Sequence, residues 1–376
     1  MTHIVILGSG FAALTAVRAL RKRGVKAEIT LISPRDSLHY LPSAIWIPSG
    51  LREIEELQIP LAPFLARHKV RFLRTAVSTL DAGTRSVTTL DGQVISADHL
   101  IIATGARFLR KLPGIEHALI PCEGLAPAQA ISERFHALEG GTIAIGMATN
   151  PNEPGAIRGG PMFEYLFILD TLLRQQMRRD RFKLVFFSPS DRPGQRLGEK
   201  AVDGILAEMK RRGIETHLGH KMVRIEPDKV VTEAGEIAAD LILFQPGMTG
   251  LSWFEGTDLP LSPGKMIEAD ALCRVAGKPG VWVAGDAGSY PGPDWLPKQA
   301  HQADLQAQAI AANIAAIEKG LEPATPFRPE LICIMDSLDS GMLVFRRGKI
   351  NLTLPALKPL HWLKRLYEGH YLRAFR

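Results

Sequence analysis

The hydrophobic pattern at the amino terminus predicts a buried strand that leads directly into a helix. An unbroken apolar run rich in β-branched residues covers residues 4–7, as in strands buried within a parallel sheet. Apolar residues then recur at helical spacing from Phe11 to Arg23, where Gly24 provides a stop. A second apolar run covers residues 27–32. This order of strand, helix and strand predicts a βαβ unit.

Similar patterns continue along the chain and predict further strands and helices. After a loop at 39–50 and a helix near 60–68, we expect strands over 70–80, 86–90 and 98–102. A second series consists of strand 142–146, helix 162–178, strand 183–188, helix 196–213, strand 214–218 and strand 240–244. The last strand, 281–284, precedes a helix expected from about Pro297 to Glu318.

These elements predict an α/β fold with two Rossmann-like dinucleotide-binding domains, the second inserted into the first. We assign residues 1–112 and 247–320 to the discontinuous first domain and residues 113–246 to the second. Residues 321–376 form a carboxyl-terminal segment with an amphipathic helix. A length of 376 residues fits two or three domains.

Composition narrows the class of protein. The chain is 46% hydrophobic and 22% charged, and no apolar stretch reaches the length of a membrane-spanning helix. Its three cysteines are too scattered for a disulfide scaffold or a zinc site, so we expect no metal. The net charge of +6 is compatible with nucleic-acid binding, but outside the tail the basic residues form no aromatic-rich stripe, so we expect none.

The turn after the first strand has the pattern of a dinucleotide-binding loop. Gly8 permits a tight turn, Gly10 allows the backbone to approach a pyrophosphate, and Ala13 keeps the helix close to the strand. The helix that starts with Phe11 and Ala12 offers its amino terminus to the phosphates. Where a ribose-binding carboxylate is expected, at the end of the second strand, the chain has Ser33. Asp36 nearby also fits a solvated loop charge.

Two later strands end in small residues that suit the same cofactor. Ala103-Thr104-Gly105 follows one strand, where small residues let the backbone pack closely against a bound molecule. Ala284-Gly285-Asp286 follows another, and the Asp286 carboxylate can accept a hydrogen bond from a sugar-alcohol hydroxyl. A turn or helix cap is the alternative role of Asp286. By contrast, the turn Gly146–Asn150 of the second series lacks the later glycines that would hold a nicotinamide dinucleotide.

Together, these three turns resemble the FAD-binding signature of the two-dinucleotide-domain flavoproteins. Within that superfamily, the chain resembles sulfide:quinone oxidoreductases and flavocytochrome c sulfide dehydrogenases. The segments that carry this resemblance are Tyr40-Leu41-Pro42-Ser43 with Trp46, Cys122, Gly160–Glu164, Leu296-Pro297-Lys298 with His301, and Cys333–Asp336. The resemblance implies an extended FAD, with Pro42 and Lys298 among the cofactor-binding residues, and quinone as the electron acceptor. Residues 321–376 are then expected to cap the flavin and to associate with a membrane.

The resemblance also implies a set of catalytic residues. Cys333 matches the family cysteine beside the flavin, and Cys122 matches a further cysteine that assists in some members. The second redox cysteine of the family is replaced by Arg158, so a sulfur bridge between two cysteines is in doubt. A helix end or Lys298 would lower the pKa of Cys333 and make it a nucleophile. The alternative is that all the cysteines are inert buried thiols.

Two charged residues complete the implied site. Lys298, expected near the flavin pyrimidine edge, would stabilise the anionic reduced flavin, although a helix-surface charge is the alternative. Glu164 matches a proton acceptor of the family, or serves only as an early-helix charge that favours the helix dipole.

The carboxyl-terminal residues predict a basic amphipathic helix. Its apolar positions are Leu357, Leu360, Trp362, Leu363, Leu366, Tyr367, Tyr371 and Phe375, and its cations are Lys358, Lys364, Arg365, Arg373 and Arg376. Such a helix suits the interface of a bilayer, but it equally suits docking on the protein's own core. A membrane surface would give access to a lipid-soluble quinone.

The sequence therefore predicts a peripheral membrane FAD enzyme that transfers two electrons from sulfide, or a related inorganic sulfur donor, to quinone. The alternatives are an NAD(P)H:quinone oxidoreductase and a flavoprotein subunit that donates electrons to a cytochrome partner. Because Met1 leads directly into the first strand, we expect no signal peptide and residence at the cytoplasmic face. Self-association as a homo-oligomer is compatible with these features.

Overall fold

The structure is a computed structural model that describes residues 1–376. Its α-helices are α1 Phe11–Lys22, α2 Ile54–Leu57, α3 Ala62–His68, α4 Leu125–Ala137, α5 Gly160–Gln175, α6 Glu199–Arg211, α7 Ala300–Ile317 and α8 Lys358–Leu372. Short 3₁₀ helices cover Leu41–Ser49, Ile115–His117, Pro121–Glu123, Arg179–Arg181, Gln195–Leu197, Ser252–Gly256 and Gly285–Ala287. None of the helices combines the length and the apolar content that crossing a bilayer requires.

The first of the two main sheets contains five parallel strands. In spatial order they are Val281–Val283, His99–Ile102, His3–Leu7, Glu28–Ile32 and Arg71–Leu73. The strands pair in register so that Leu7 lies beside both Ile32 and Ile102, and Ile102 lies beside Val283. The carboxyl ends of four strands therefore meet at one edge, where α/β proteins bind their ligands.

The second main sheet is also entirely parallel. Its strands, in spatial order, are Glu215–Leu218, Phe182–Ser188, Gly141–Met147 and Leu241–Gln245. Helix α5 packs against this sheet and is buried along most of its length from Met162 to Leu173. Two parallel sheets with helices between their strands confirm the predicted fold class.

The carboxyl-terminal residues form an antiparallel sheet that the sequence did not predict. Its strands are Leu331–Asp336, Gly341–Arg347 and Ile350–Leu357, and α8 follows the last of them directly. The first strand packs against α5 and α8. This sheet therefore brings the end of the chain against the second main sheet's helix.

The remaining strands form small sheets outside the two main layers. Three-stranded antiparallel sheets contain Val77–Asp81, Ser86–Thr89 and Val94–Ser96, and Met222–Glu226, Lys229–Thr232 and Gly235–Ala238. Two-stranded pairs are Ser37–His39 with Gln58–Pro60, Arg107–Phe108 with Met248–Thr249, and Ile267–Glu268 with Gly288–Ser289.

Two expected elements differ from the structure. The predicted loop at 39–50 is largely a 3₁₀ helix, Leu41–Ser49, in which Trp46 and its apolar neighbours are buried. Pro42 fits its first turn, where no backbone donor is needed, and Gly50 ends it with a φ of 68°. The helix expected from Pro297 begins only at Ala300, because residue 299 has an extended backbone.

Candidate active site

The first turn has the geometry that close backbone packing demands. Gly8 has a φ of 109°, and a Cβ there would lie 2.4 Å from the carbonyl oxygen of Ala103. Its N–H donates to the carbonyl of Ile32, which ties the turn to the neighbouring strand. At Gly10, the residue that caps α1, a Cβ would meet no protein atom within 4 Å. Gly8 is therefore required by the protein itself, whereas the space at Gly10 is available to a ligand.

The proposed ribose-binding position is tied to this turn. The buried Ser33 hydroxyl lies 2.8 Å from the hydroxyl of Ser9 and also accepts from the N–H of Arg35. Asp36 is exposed and pairs with Arg74 at 2.8 Å. Ser33 therefore lies at the cavity wall with protein partners, while Asp36 fits the solvated alternative.

The three cofactor turns line one large cavity. Its volume is about 1650 Å³, which exceeds the roughly 300–1,000 Å³ of pockets for drug-sized ligands. The predicted residues that line it are Gly8, Gly10, Phe11, Ala12, Ser33, Pro42, Cys122, Glu164, Ala103, Thr104, Gly105, Gly285, Asp286, Lys298 and Cys333. Ala13 is fully buried in α1, in keeping with its packing role. The cavity thus brings together the predicted binding and catalytic residues.

The polar groups of this cavity fit a flavin dinucleotide. The Thr104 hydroxyl and the Gln299 side-chain oxygen are buried without any protein partner. Asp286 uses one carboxylate oxygen, Oδ2, for an ion pair, and Oδ1 has no partner among the protein's hydrogen bonds. These groups provide unsatisfied donors and acceptors along the glycine-lined turns, as an extended adenine dinucleotide needs.

Arg158 occupies a central position in the cavity. It lies in the loop before α5, and its Nη2 donates to Asp286 Oδ2. No other hydrogen bond is made by its guanidinium, although its side chain is only 24% exposed. At the position where the resemblance implies a second redox cysteine, the chain therefore has a largely buried cation that links the second sheet's loop to Asp286.

Lys298 is held differently from the expectation. Its ammonium donates to the carbonyls of Asp286 and Gly288 and lies over the ring of Tyr290. Because α7 starts at Ala300, Lys298 precedes the helix, and these carbonyls are its hydrogen-bond partners. Burial lowers its pKa to about 8, and the nearby Asp286 opposes that shift. His301, in the first turn of α7, bonds to Glu330 at 2.8 Å.

Cys122 and Cys333 both reach the cavity, near the start of α5. A Cβ at Gly160 would lie 3.9 Å from the Cys333 sulfur, and the turn containing Cys122 packs against α5. Burial raises the pKa of each thiol to about 12, and Glu164 adds to both shifts. The expectation that Lys298 lowers the pKa of Cys333 is wrong. The pKa of this thiol is raised, and the cation that partly opposes the rise is Lys364. Cys273 is fully buried.

Glu164 belongs to a buried ionic chain that sequence reasoning missed, and its members are Lys364, Glu164, Asp336 and His361. Its carboxylate accepts from the ammonium of Lys364 on α8 and from the N–H of Asp336. Asp336 in turn bonds to His361 at 2.7 Å and to the indole N–H of Trp46 at 3.1 Å. Burial raises the pKa of Glu164, and Lys364 opposes that effect. In the sequence Lys364 is one of several cations of the tail, and only its spacing of four residues from the buried Leu360 indicates an inward position.

The carboxyl-terminal helix divides its apolar residues between two surfaces. Leu360, Leu372 and Phe375 are buried, and Tyr371 donates to Asp304 of α7 at 2.8 Å. Burial raises the pKa of Asp304 to about 6. Four other apolar residues of α8 face outward: Trp362, Leu363, Leu366 and Tyr367. The helix therefore packs one side on the protein core and leaves an apolar face exposed on the other.

The second sheet lacks a direct turn from strand to helix. After the strand Gly141–Met147, residues 148–159 form a long loop before α5 begins. The amino-terminal end of α5 lies beside Cys333 of the added sheet. This differs from the dinucleotide-binding turn at Gly8, where the helix starts within four residues of the strand.

Comparisons with known proteins agree with this architecture. The model of the pyridine nucleotide-disulphide oxidoreductase family matches residues 2–307. The chain is 25% identical to the sulfide-quinone reductase of Aquifex aeolicus, over 100% of this chain and 91% of that protein. It is 24% identical to the type II NADH:quinone oxidoreductase of Staphylococcus aureus, over 91% of this chain and 89% of that protein. The crystal structure of the Aquifex aeolicus sulfide:quinone oxidoreductase superposes with a TM-score of 0.90 at 23% identity, covering 100% of this chain and 92% of that one.

Proposed function

Because the chain belongs to the pyridine nucleotide-disulphide oxidoreductase family and is an FAD-dependent oxidoreductase, we propose that it transfers two electrons from sulfide to a quinone. The observation that carries this proposal is the position of two thiols, Cys122 and Cys333, in the cavity lined by the dinucleotide-binding turns. The net reaction is HS⁻ + H⁺ + quinone → zero-valent sulfur + quinol. A related inorganic sulfur donor would fit the same site.

FAD supplies the two-electron chemistry, since it can accept an electron pair from one substrate and pass it to another. Cys333 would serve as the nucleophile towards the oxidised flavin, since hydrosulfide is itself a nucleophile and the flavin is the electron acceptor. Because burial raises the pKa of this thiol, it needs a proton acceptor, and we assign that role to Glu164, which lines the same cavity. Lys364 favours the thiolate of Cys333 and the charged form of Glu164. Lys298 places a cation at the cavity wall, suited to stabilising a reduced flavin.

A second candidate donor is NADH, which the relatedness to a type II NADH:quinone oxidoreductase favours. The long loop at 148–159 argues against it, because a nicotinamide dinucleotide would lack the usual strand–turn–helix cradle. Sulfide therefore remains the preferred donor.

Anaerobic mixing of the flavin-loaded protein with sulfide or with NADH separates these donors. We expect sulfide to bleach the visible flavin absorption rapidly and a short-chain quinone to restore it, with little bleaching by NADH. Cys333→Ser should slow bleaching by sulfide by about 10²-fold or more, because the nucleophile is lost. Cys273→Ser is the matched control, since Cys273 is fully buried away from the cavity lining. Rapid bleaching by NADH alone would replace sulfide with NADH as the donor.

We also propose that the outward face of α8 binds an anionic membrane surface. This apolar face consists of Trp362, Leu363, Leu366 and Tyr367. The strand that leads into α8 also exposes apolar side chains, at Ile350, Leu352 and Leu357. Lys358 and Arg373 are exposed on the same helix and its end. Aromatic, aliphatic and cationic side chains together suit the interface of a bilayer. Because Lys364 and Tyr367 also line the cavity, this face would bring a quinone in lipid close to the flavin site.

Vesicle sedimentation tests the membrane surface. The double variant Trp362→Glu/Leu366→Glu should lose most of its binding to vesicles that contain anionic phospholipid, because two apolar contacts are replaced by repelled charges. Leu90→Glu is the matched control, since Leu90 and Leu366 are both 71% exposed. Equal sedimentation of the two variants would rule out this face as the binding surface.

A further inference from the structure

The position of Arg158 distinguishes this cavity from one built around a pair of bridging cysteines. The guanidinium uses only Nη2, which donates to Asp286, and its remaining N–H groups have no protein acceptor. Arg158 lines the cavity and is largely shielded from solvent. A cation with unused donors in a partly desolvated cavity favours an anionic ligand.

Cys122 lies within the electrostatic reach of this cation. The charge of Arg158 lowers the pKa of the Cys122 thiol against the larger effect of burial, and the two side chains line the same cavity. The 3₁₀ turn that carries Cys122 packs against α5, and Arg158 is two residues before the first residue of that helix. The helix end adds a positive partial charge to the same corner.

A second unused donor lies beside Cys122. Gln245 has no exposed surface, and its Oε1 accepts from the N–H of Cys122 at 3.3 Å. Its Nε2 is buried with no hydrogen-bond partner. Gln245 does not itself line the cavity, but its Oε1 fixes the backbone of Cys122, so it positions the cysteine that does.

We propose that Arg158, Cys122 and the amino-terminal end of α5 form a subsite that binds a small inorganic anion, with hydrosulfide as its reducing member. This inference rests on the proposed function for the identity of the donor. In this subsite the guanidinium of Arg158 binds the donor as an anion. In a site with two redox cysteines, the donor sulfur would instead be held as a covalent bridge between them. Arg158 is therefore a substrate-binding residue that determines specificity for anionic donors.

Alkylation of Cys122 in the flavin-loaded protein tests the subsite without depending on electron transfer. Iodoacetate and iodoacetamide differ in charge, and mass spectrometry of the Cys122 peptide gives the ratio of their rates. We expect Arg158→Gln to lower the ratio of iodoacetate to iodoacetamide by about tenfold, because the local attraction for anions is lost. Arg158→Lys should retain part of the preference. Arg274→Gln is the matched control, since Arg274 is an exposed arginine paired with Asp270 at 2.7 Å.

A non-reducing anion provides the second measurement. Thiocyanate should perturb the flavin absorption spectrum and slow alkylation of Cys122 in the unsubstituted protein, and both effects should be lost in Arg158→Gln. If neither reagent alkylates Cys122, the thiocyanate titration of the flavin spectrum alone tests whether the subsite binds an anion. An unchanged alkylation ratio in Arg158→Gln, or a thiocyanate response that is absent from the unsubstituted protein or equal in the two proteins, would overturn the subsite.

Flavin reduction by sulfide then separates this inference from the proposed function. In Arg158→Gln, the sulfide concentration that gives half-maximal bleaching should rise by about tenfold, with a smaller change in the limiting rate. If sulfide fails to bleach the unsubstituted protein while the alkylation ratio still depends on Arg158, the anion subsite stands and the proposed donor is wrong. If sulfide bleaches Arg158→Gln with unchanged saturation, the donor stands and the role of Arg158 is wrong.

Discussion

Replacing Gly10 with alanine is expected to give a folded protein that purifies almost without flavin. A Cβ at Gly10 meets no protein atom within 4 Å, and the residue has a φ of −87°, which any amino acid can adopt. The added methyl group therefore costs the protein little, but it fills space into which the pyrophosphate must approach. The ratio of visible flavin absorption to protein absorption measures the loss, and thermal unfolding of the cofactor-free proteins measures the fold.

Gly8→Ala is the informative control for this experiment. The same added methyl group would lie 2.4 Å from the carbonyl oxygen of Ala103, and the φ of 109° is strained for alanine. We expect it to destabilise the fold by at least about 1–3 kcal/mol as well as to remove flavin. If Gly10→Ala retains its full flavin content, the pyrophosphate is not held at this turn.

The parallel strands and the cofactor turns were predictable because they depend on short-range patterns. Buried strands such as His3–Leu7 appear as unbroken apolar runs, and their register brings Gly8, Ala103 and Ala284 to one edge. These positions follow from the rules of parallel sheets alone. The sequence therefore predicted the fold class and the residues that gather around the cavity.

The carboxyl-terminal sheet and the ionic chain were not predictable in this way. The strand Ile350–Leu357 alternates apolar and polar residues only from Ile350 to Leu354, before Pro355 interrupts the pattern. Its apolar side chains at Ile350 and Leu352 are exposed, so the alternation does not mark a buried face. Lys364 has the same appearance as its basic neighbours in the sequence. Its burial depends on Glu164, which lies 200 residues earlier in the chain. Such a pairing arises only from the packing of α8 against the added sheet.

The buried pair of Glu164 and Lys364 has two separable effects, one on stability and one on chemistry. The side chain of Lys364 is 15% exposed, and its partner Glu164 is 7% exposed. Removal of one charge from a buried pair leaves the other unpaired, at a cost of about 3–5 kcal/mol. Replacement of both by uncharged residues of similar size is often close to neutral. Stability and proton transfer can therefore be tested with the same variants.

We expect Glu164→Gln to be destabilised and to bleach with sulfide about 10²-fold more slowly, since the acceptor for the Cys333 proton is lost. The double variant Glu164→Gln/Lys364→Met should recover most of the stability in thermal unfolding while the slow bleaching remains. Glu368→Gln is the matched control, because Glu368 lies on α8, as Lys364 does, and is 3% exposed. It pairs with Arg52 at 2.6 Å, away from the cavity lining. That variant should lose stability and keep its rate. Recovery of the rate together with stability in the double variant would show that Glu164 has only a structural role.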